Sequence, residues 1–320
     1  MKVRAAGLLD LSRIEELHRS AQSHPNEAPA AHLWSLLSST LSALLPLAQE
    51  TLLYIAEDGG KLQGFVQASG PPGAFDLNRA KVLQVLNLQV ARGADEEEVA
   101  GALVEHLSNQ ALQRGVHRLF VRIPDRDAVL PVFRMRGFRQ YATEQVLFAE
   151  RVSRGITPSP EGARALRRGD ARQLYQLYRK VTPQHVSRLE APTYREWRAL
   201  HADRTGRGLR RGGNGEEVVV DRTELAGWVK AERSGGTQPH TLTFMVLPEP
   251  PLPDELADLA IALLNDTSMP VWSSLRHYDS HMIDALRGRG FSILVTQMLL
   301  VKELALRAPV AEKGLVPSFG

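Results

Sequence analysis

The sequence predicts an α+β protein built from two copies of one unit. Residues 133–148 and 286–301 share the end of a short helix, a Gly-Phe turn and a strand. Six of their 16 aligned positions are identical, and Gly137 aligns with Gly290 at an offset of 153 residues. The first helix, the hairpin and the Gly-Phe turn of each copy recur in the same order at offsets of 153 to 163 residues. Random amphipathic patterns would not keep that order, so we infer a tandem duplication.

The composition is that of a globular protein with room for two cores. A chain of 320 residues is long enough for two domains of ordinary size. Cysteine is absent, which excludes disulfides, thiolate nucleophiles and thiolate zinc sites. The N-terminus lacks the apolar segment of a signal peptide, and the most apolar stretch, residues 33–47, is too short and too polar to span a bilayer. We therefore expect a cytoplasmic protein with no membrane partner.

Each copy opens with a short strand and an amphipathic helix. Apolar residues recur at helical spacing after Asp10 and after Asp170, and both aspartates are placed to cap the helix. Gln173 would complete a capping box in the second copy. Residues 28–49 and, more loosely, 193–203 continue the helical pattern. Two helices are therefore expected before the main strands of each copy.

The middle of each copy is predicted to be a hairpin, a strand, a helix and another strand. Gly59-Gly60 separates two alternating apolar segments, a pattern typical of a tight hairpin turn. The predicted elements are the strand pairs 51–58 with 61–69 and 216–223 with 224–232, the strands 82–90 and 241–247, the helices 95–114 and 254–265, and the strands 116–123 and 271–275.

The domain boundaries follow from proline and glycine. Pro158 and Pro160 exclude a regular helix or a central strand between the copies. We therefore place one domain at residues 1–150, a linker at 151–162, a second domain at 163–304 and a loose tail at 305–320.

This element order, with one helix between the fourth and fifth strands, resembles the GNAT (N-acetyltransferase) superfamily. The resemblance rests on that order and on the segments ending in Gly137-Phe138 and Gly290-Phe291, and two copies cover almost the whole chain. It implies a bent, mixed β-sheet with helices on both faces in each half. It also implies an N-acyltransferase that uses acetyl-CoA and acylates an amine of a small molecule, a protein N-terminus or a lysine.

The resemblance also implies where the acyl donor lies. In the family the fourth and fifth strands separate at their ends, and the pantetheine occupies the gap between them. The matching residues are Leu88 and Val90 on the fourth strand and Arg92 and Gly93 in the loop that follows. A strand-edge N–H between Leu88 and Val90 would hold the thioester carbonyl, and the next helix would point its N-terminus at the pyrophosphate.

The loops before these helices differ from the glycine-rich loop of the family. Asp95, Glu96, Glu97 and Glu98 occupy its positions in the first copy, and residues 248–256 contain four prolines and no glycine in the second. One carboxylate about 5 Å from a phosphate charge costs about 3 kcal/mol at an effective dielectric of about 20. Proline cannot donate an N–H. We interpret the acids as partners of the helix dipole rather than as catalytic groups.

No catalytic residue can be named from the sequence. Phe133 and Leu286 stand where many family members have a tyrosine acid, and Asn87 and Thr243 stand where a carboxylate base is common. Two hypotheses from different classes therefore stay open. One is the N-acyltransferase, and the other is a degenerate pair of domains that binds a ligand or partner without chemistry.

A cluster of polar residues follows the last strand before the second Gly-Phe turn. Residues 277–281 read HYDSH, and a His/Asp pair there could act as a base or bind a metal. Their spacing is poor for a metal, so no metal site is expected. We expect Asp279 or Ser280 to cap the following helix instead.

A basic stretch opens the second copy. Residues 164–211 contain 13 basic and four acidic side chains, and the stretch ends in a Gly/Arg loop. We expect a solvated helix face and no nucleic-acid partner, because no nucleic-acid-binding motif is present. The open alternative is a surface for RNA or aminoacyl-tRNA that uses Arg207, Arg210 and Arg211.

Overall fold

The computed structural model describes residues 1–22, 51–70, 81–153, 159–200, 214–234, 239–264 and 269–304. In the first half these residues form β1 (Lys2–Ala5), α1 (Leu11–Gln22), β2 (Thr51–Asp58), β3 (Lys61–Ser69), β4 (Val82–Val90), α2 (Glu96–Gln113), β5 (Arg118–Pro124), α3 (Leu130–Met135) and β6 (Arg139–Ala149). The predicted helix at 28–49 and the predicted tail lie outside the described residues.

The second half repeats this order with two additional helices among the described residues. Its elements are β7 (Ala163–Ala165), α4 (Ala171–Val181), α5 (Gln184–Glu190), α6 (Tyr194–Leu200), β8 (Asn214–Asp221), β9 (Leu225–Arg233), β10 (His240–Val246), α7 (Leu252–Leu264), β11 (Val271–Arg276), α8 (Ser280–Arg287) and β12 (Ser292–Glu303). No helix in the described ranges has both the length and the apolar character needed to cross a membrane.

The twelve strands of the described residues join one mixed sheet. Their order is β1-β2-β3-β4-β5-β12-β6-β11-β10-β9-β8-β7. The pairs β4–β5 and β10–β11 are parallel, and the other neighbours are antiparallel. The order reads the same from either edge once each strand is replaced by its counterpart. This symmetry confirms the tandem duplication and the mixed sheet, and it shows that the two copies share a single sheet.

The last strand of each half is inserted into the other half. β12 lies between β5 and β6, with residues 297–303 paired to 118–124. β6 lies between β12 and β11, with residues 144–149 paired to 271–276. β5 and β6 are consecutive in the first half but are not neighbours in the sheet. Each half is therefore completed by a strand from the other.

Helices cover both faces of the sheet, as the resemblance implied. In the first half α2 buries Leu103 on one face, while Ile14 of α1 packs against Phe65 on the other. In the second half α7 buries Leu256 on one face, while α4 and α6 pack around Trp228 on the other. Each half therefore has two apolar layers that fix the position of its strands.

An arginine–carboxylate cluster joins the first strand to the first helix in both halves. Arg4 donates hydrogen bonds to Asp10 at 2.7 Å and to Glu57 at 2.9 Å. The second half repeats the cluster with Arg164, Asp170 and Asp221. The prediction that the Asp170 side chain caps α4 was wrong, because Asp170 makes no such hydrogen bond. Its carboxylate instead accepts from Arg164 and from the N–H of Arg167.

Asp10 should make the free energy of unfolding decrease at acidic pH. Hydrogen bonding to Arg4 lowers the pKa of this nearly buried carboxyl to about 2. In the unfolded chain the pKa is about 3.9, so the ionised carboxylate stabilises the fold above about pH 4. That stabilisation is lost as the pH falls through the folded pKa.

The variant Asp10→Asn tests this dependence. In the wild type the midpoint of urea unfolding should fall between pH 5 and pH 2.5, and in Asp10→Asn this fall should be smaller. Asp58→Asn, at an exposed carboxylate, should keep the wild-type slope, and an unchanged slope in Asp10→Asn would contradict the assignment.

Candidate functional site

β4 separates from β5 where the resemblance placed the gap. The two strands pair only as far as Val85 opposite Val121, although β4 continues to Val90. A bulge at Leu86 shifts the register of β4 against β3 just before the gap. Bulges change the direction of a strand and of its side chains. The free end of β4 thus borders an opening between the fourth and fifth strands.

The four residues predicted to bind the acyl donor lie along this end of β4 and the following loop. Leu88 is buried and Val90 is half-buried, and both pack on the side of α2. Arg92 is exposed. Gly93 has a φ of +81°, and a Cβ added there would meet no atom within 4 Å. The structure brings these residues to one edge of the gap, and their role in binding stays a prediction.

The start of α2 keeps free backbone donors. Asp95 caps the helix, since its carboxylate accepts from the N–H of Glu98 at 3.0 Å. The N–H groups of Glu96 and Glu97 make no hydrogen bond to any described residue. The glutamate side chains of this turn are exposed and can turn toward solvent. The free backbone N–H groups therefore fit an anion such as the pyrophosphate of acyl-CoA, while the negative charges of the acidic side chains in this turn repel such an anion.

The start of α7 has no free donor in its first turn. The N–H of Leu252 donates to the carbonyl of Glu249 at 2.9 Å. The N–H groups of Asp254 and Glu255 both donate to the carbonyl of Pro251 at 3.1 Å. Pro253, between them, has no N–H. Of these two corresponding helix starts, only α2 keeps free N–H groups that fit a pyrophosphate.

Buried polar side chains border the gap of the first half on the side of α1. Asn87 donates to Gln67 at 2.7 Å, and Gln89 is hydrogen-bonded to Nδ1 of His18 at 2.8 Å. Burial lowers the pKa of His18, so this ring is neutral at pH 7. Three atoms of this cluster are buried and have no hydrogen-bond partner among the described residues: Gln67 Nε2, Asn87 Oδ1 and Gln89 Oε1. Buried polar atoms without a partner are rare in native proteins, so this cluster is suited to a polar ligand.

The second half opens into a cavity at the corresponding place. β10 and β11 pair from His240 opposite Val271 to Leu242 opposite Ser273, and then separate. A cavity of about 420 Å³ lies there. It is lined by both strands, by α4 and α5, and by Arg122 and Glu144 from β5 and β6. Side chains from both halves therefore build its wall.

An ion-pair network holds the wall of this cavity. Arg276 lies 2.9 Å from Glu190 and 3.2 Å from Glu144. The Tyr141 hydroxyl donates to Glu190 at 2.8 Å, and burial raises its pKa, so it remains a donor. Arg122 lies 3.6 Å from Glu144. The network joins β5 and β6 of the first half to β11 and α5 of the second.

Asp279 lines the cavity and does not cap α8 as predicted. It occupies the N-cap position of α8, but its side chain makes no capping hydrogen bond. The predicted capping by Asp279 was therefore wrong. Its Oδ2 accepts instead from the N–H of Arg276 at 3.3 Å. Burial raises the pKa of Asp279 to about 7. Its neighbours His277 and His281 are exposed and do not line the cavity.

The basic stretch of the second half is partly engaged within the protein. Arg164 pairs with Asp170, and Lys180 pairs with Glu224. Arg172 lies over the ring of Tyr194 at 5.8 Å. The residues named for an RNA surface, Arg207, Arg210 and Arg211, lie outside the described residues.

Solved structures share this fold over nearly the whole chain. A GCN5-related N-acetyltransferase from Sphaerobacter thermophilus matches with a TM-score of 0.61 and 17% identity, over 95% of this chain and 96% of that one. A tandem GNAT protein from the clavulanic acid biosynthesis pathway matches with a TM-score of 0.58 and 16% identity, over 96% and 100%. A GCN5-related N-acetyltransferase from Anabaena variabilis matches with a TM-score of 0.50 and 10% identity, over 95% and 73%.

The chain is therefore a protein of the GNAT fold. More particularly, it is a tandem GNAT-fold protein in which two copies share one sheet and exchange their last strands. No family model and no curated sequence matches it. The likeness is one of fold, and the two clefts differ in their helix starts and in their polar lining.

Proposed function

We propose that the protein is an acetyl-CoA-dependent amine N-acyltransferase whose reaction takes place in the gap between β4 and β5. One observation carries this proposal. The gap has free backbone donors at the start of α2 on one face and a buried polar cluster, with atoms lacking partners, on the other. In this proposal the acyl donor would bind on the face of α2 and the amine on the face of the polar cluster.

The residues of the first half divide into two groups in this proposal. The N–H groups of Glu96 and Glu97, with Arg92 and Gly93, would hold the pyrophosphate, and the backbone between Leu88 and Val90 would hold the acyl end. Bound acetyl-CoA supplies the activated carbonyl. The polar cluster around Asn87 and Gln89 would orient the amine. Such positioning contributes several kcal/mol even without a dedicated acid.

Calorimetric titration with acetyl-CoA tests the proposal. We expect weak, saturable binding at millimolar ligand, because the carboxylates at the start of α2 oppose the phosphates. With a panel of small amines and peptides, thiol release should then exceed the rate without an amine. No heat and no thermal shift at millimolar acetyl-CoA would contradict the proposal. That result would support the other hypothesis, a ligand-binding protein without chemistry.

Removing the negative charges at the start of α2 should tighten donor binding. We expect the triple variant Glu96→Gln, Glu97→Gln, Glu98→Gln to bind acetyl-CoA about tenfold more tightly, because each exposed carboxylate repels the phosphates and salt screens only part of that repulsion. The same variant should lose about 0.3–1 kcal/mol of stability per charge, because the acids favour the helix dipole. Calorimetry measures the first effect and urea unfolding the second.

The matched control lies at the start of α7. Glu255→Gln removes a carboxylate from the corresponding helix, where the N–H groups are already bonded. We expect no change in acetyl-CoA affinity from this variant. Equal tightening in both variants would point to a general charge effect and would count against donor binding at α2.

A further inference from the structure

The cavity between β10 and β11 is a ligand-sized space that the proposed acyl transfer does not use. Its volume of about 420 Å³ falls within the range of about 300–1,000 Å³ found for small-molecule sites. The start of α7 beside it has no free N–H in its first turn, so it cannot hold a pyrophosphate as α2 can. A ligand of this cavity must therefore be recognised by the cavity wall itself.

Aromatic side chains form much of that wall. They are Tyr178, Trp228, Phe244, Trp272 and Tyr278. Burial raises the pKa of both tyrosines, so they stay neutral. The faces of neutral aromatic rings attract cations, and the attraction grows when water is excluded. The wall therefore favours a positively charged ligand with an apolar body.

The charged groups of the wall point to the same kind of ligand. Arg276 already holds Glu144 and Glu190, and Glu232 pairs with Lys230 at 2.6 Å. Both arginines of the wall face carboxylates, since Arg122 lies 3.6 Å from Glu144 and Arg276 lies between Glu144 and Glu190. Asp279 differs from the other acids of the wall, since it forms no ion pair with any described side chain. A cation in the cavity would give this carboxyl its missing partner.

We infer that the cavity of the second half binds a small organic ammonium ion, with Asp279 as its counter-ion and the aromatic side chains around its body. Binding needs no acyl donor, because the recognition groups all belong to the wall. The site is therefore separate from the proposed acyl transfer in the first half and does not depend on it.

Proton linkage gives this site a signature. Burial raises the pKa of Asp279 to about 7, while Arg276 opposes and Glu144 adds to that rise. Tyr278 and Glu190 also face this space, and neither can act as a cation that competes with the ligand. A proton on Asp279 therefore competes with the cation, so affinity should rise with pH until the carboxyl is ionised. Between pH 5.5 and pH 8.5 simple titration gives an increase of roughly thirtyfold.

The experiment uses benzyltrimethylammonium as the probe, because its charge does not depend on pH. Calorimetric titration of the full chain, without acetyl-CoA, should show binding that strengthens from pH 5.5 to pH 8.5. Phenylacetate, an anion of similar size, should not bind. Asp279→Asn should weaken cation binding at pH 8.5 at least tenfold and should abolish its pH dependence. Equal binding of phenylacetate, unchanged affinity in Asp279→Asn, or no heat with the cation would overturn the inference.

Two further variants keep the result interpretable. Glu232→Gln changes another acid of the wall, but Lys230 already neutralises this acid. The affinity of this variant for the cation should therefore differ from that of the wild type by less than threefold. Thermal unfolding of Asp279→Asn should show an intact fold, since the amide keeps the shape of the carboxyl. The triple glutamine variant of α2 should leave cation affinity unchanged. Failure of acetyl-CoA binding and failure of cation binding are thus separate outcomes.

Discussion

Replacing Arg276 by methionine should destabilise the protein by about 3–5 kcal/mol, the cost of removing one partner from a buried ion pair. Arg276 is shared by Glu144 and Glu190, whose side chains are 4% and 21% exposed. Without the guanidinium these two carboxylates lose their common partner and keep their desolvation cost. Because the network joins both halves, we expect one cooperative transition at lower urea, measured by far-UV circular dichroism.

Arg139→Met is the matched control for this variant. Arg139 pairs with Glu303, but both side chains are more than half exposed, at 58% and 56%. Exposed pairs contribute about 0–1 kcal/mol, so this loss should be small. Adding Glu190→Gln to Arg276→Met should recover part of the stability, because it removes one stranded charge. A loss below about 1 kcal/mol in Arg276→Met would show that the network contributes little.

Residues 1–153 expressed alone should not fold as a monomer. In the sheet β12 fills the space between β5 and β6, so the fragment lacks the strand that joins its own last two strands. Unpaired backbone groups would then remain along both strands. We expect an aggregated or dimeric product by size-exclusion chromatography. A dimer is consistent with the exchange, because β6 of a second copy can take the place of β12.

Co-expression of residues 1–153 with residues 159–320 is the control. The break falls between the halves and removes no strand, so the two fragments should assemble and unfold together. A monomeric 1–153 with a cooperative thermal transition would show that the inserted strand is dispensable.

The order of the elements could be predicted because the signals are local. Gly59 and Gly60 have φ values of 54° and 79° at the hairpin, and Gly137 and Gly290 have 84° and 88° at the two Gly-Phe turns. A positive φ is easy for glycine and costly for other residues, so these turns leave a mark in the sequence. The exchange of β6 and β12 leaves no such mark, since periodicity does not tell which strands are neighbours.

The functional residues were harder to predict for the same reason. Leu88 and Val90 could be placed at the gap because the resemblance to the GNAT superfamily implied where the fourth and fifth strands separate. Glu144 and Arg276 meet only because their strands pair, and they lie far apart in the chain. Glu190 belongs to α5, which was not predicted, although Pro183 is a helix-start signal that could have indicated it. The Asp279 carboxyl accepts from the backbone N–H of Arg276 and not from the first turn of α8, so the expected capping is absent.

The inserted strand also sets the order of events during synthesis. β6 ends at Ala149 and β12 begins at Ser292, so a ribosome adding about 5–20 residues per second needs roughly 7–30 s to reach the missing strand. Throughout that interval the nascent chain presents two unpaired edges to the cell. A chaperone that recognises such edges should therefore stay bound until β12 has been synthesised.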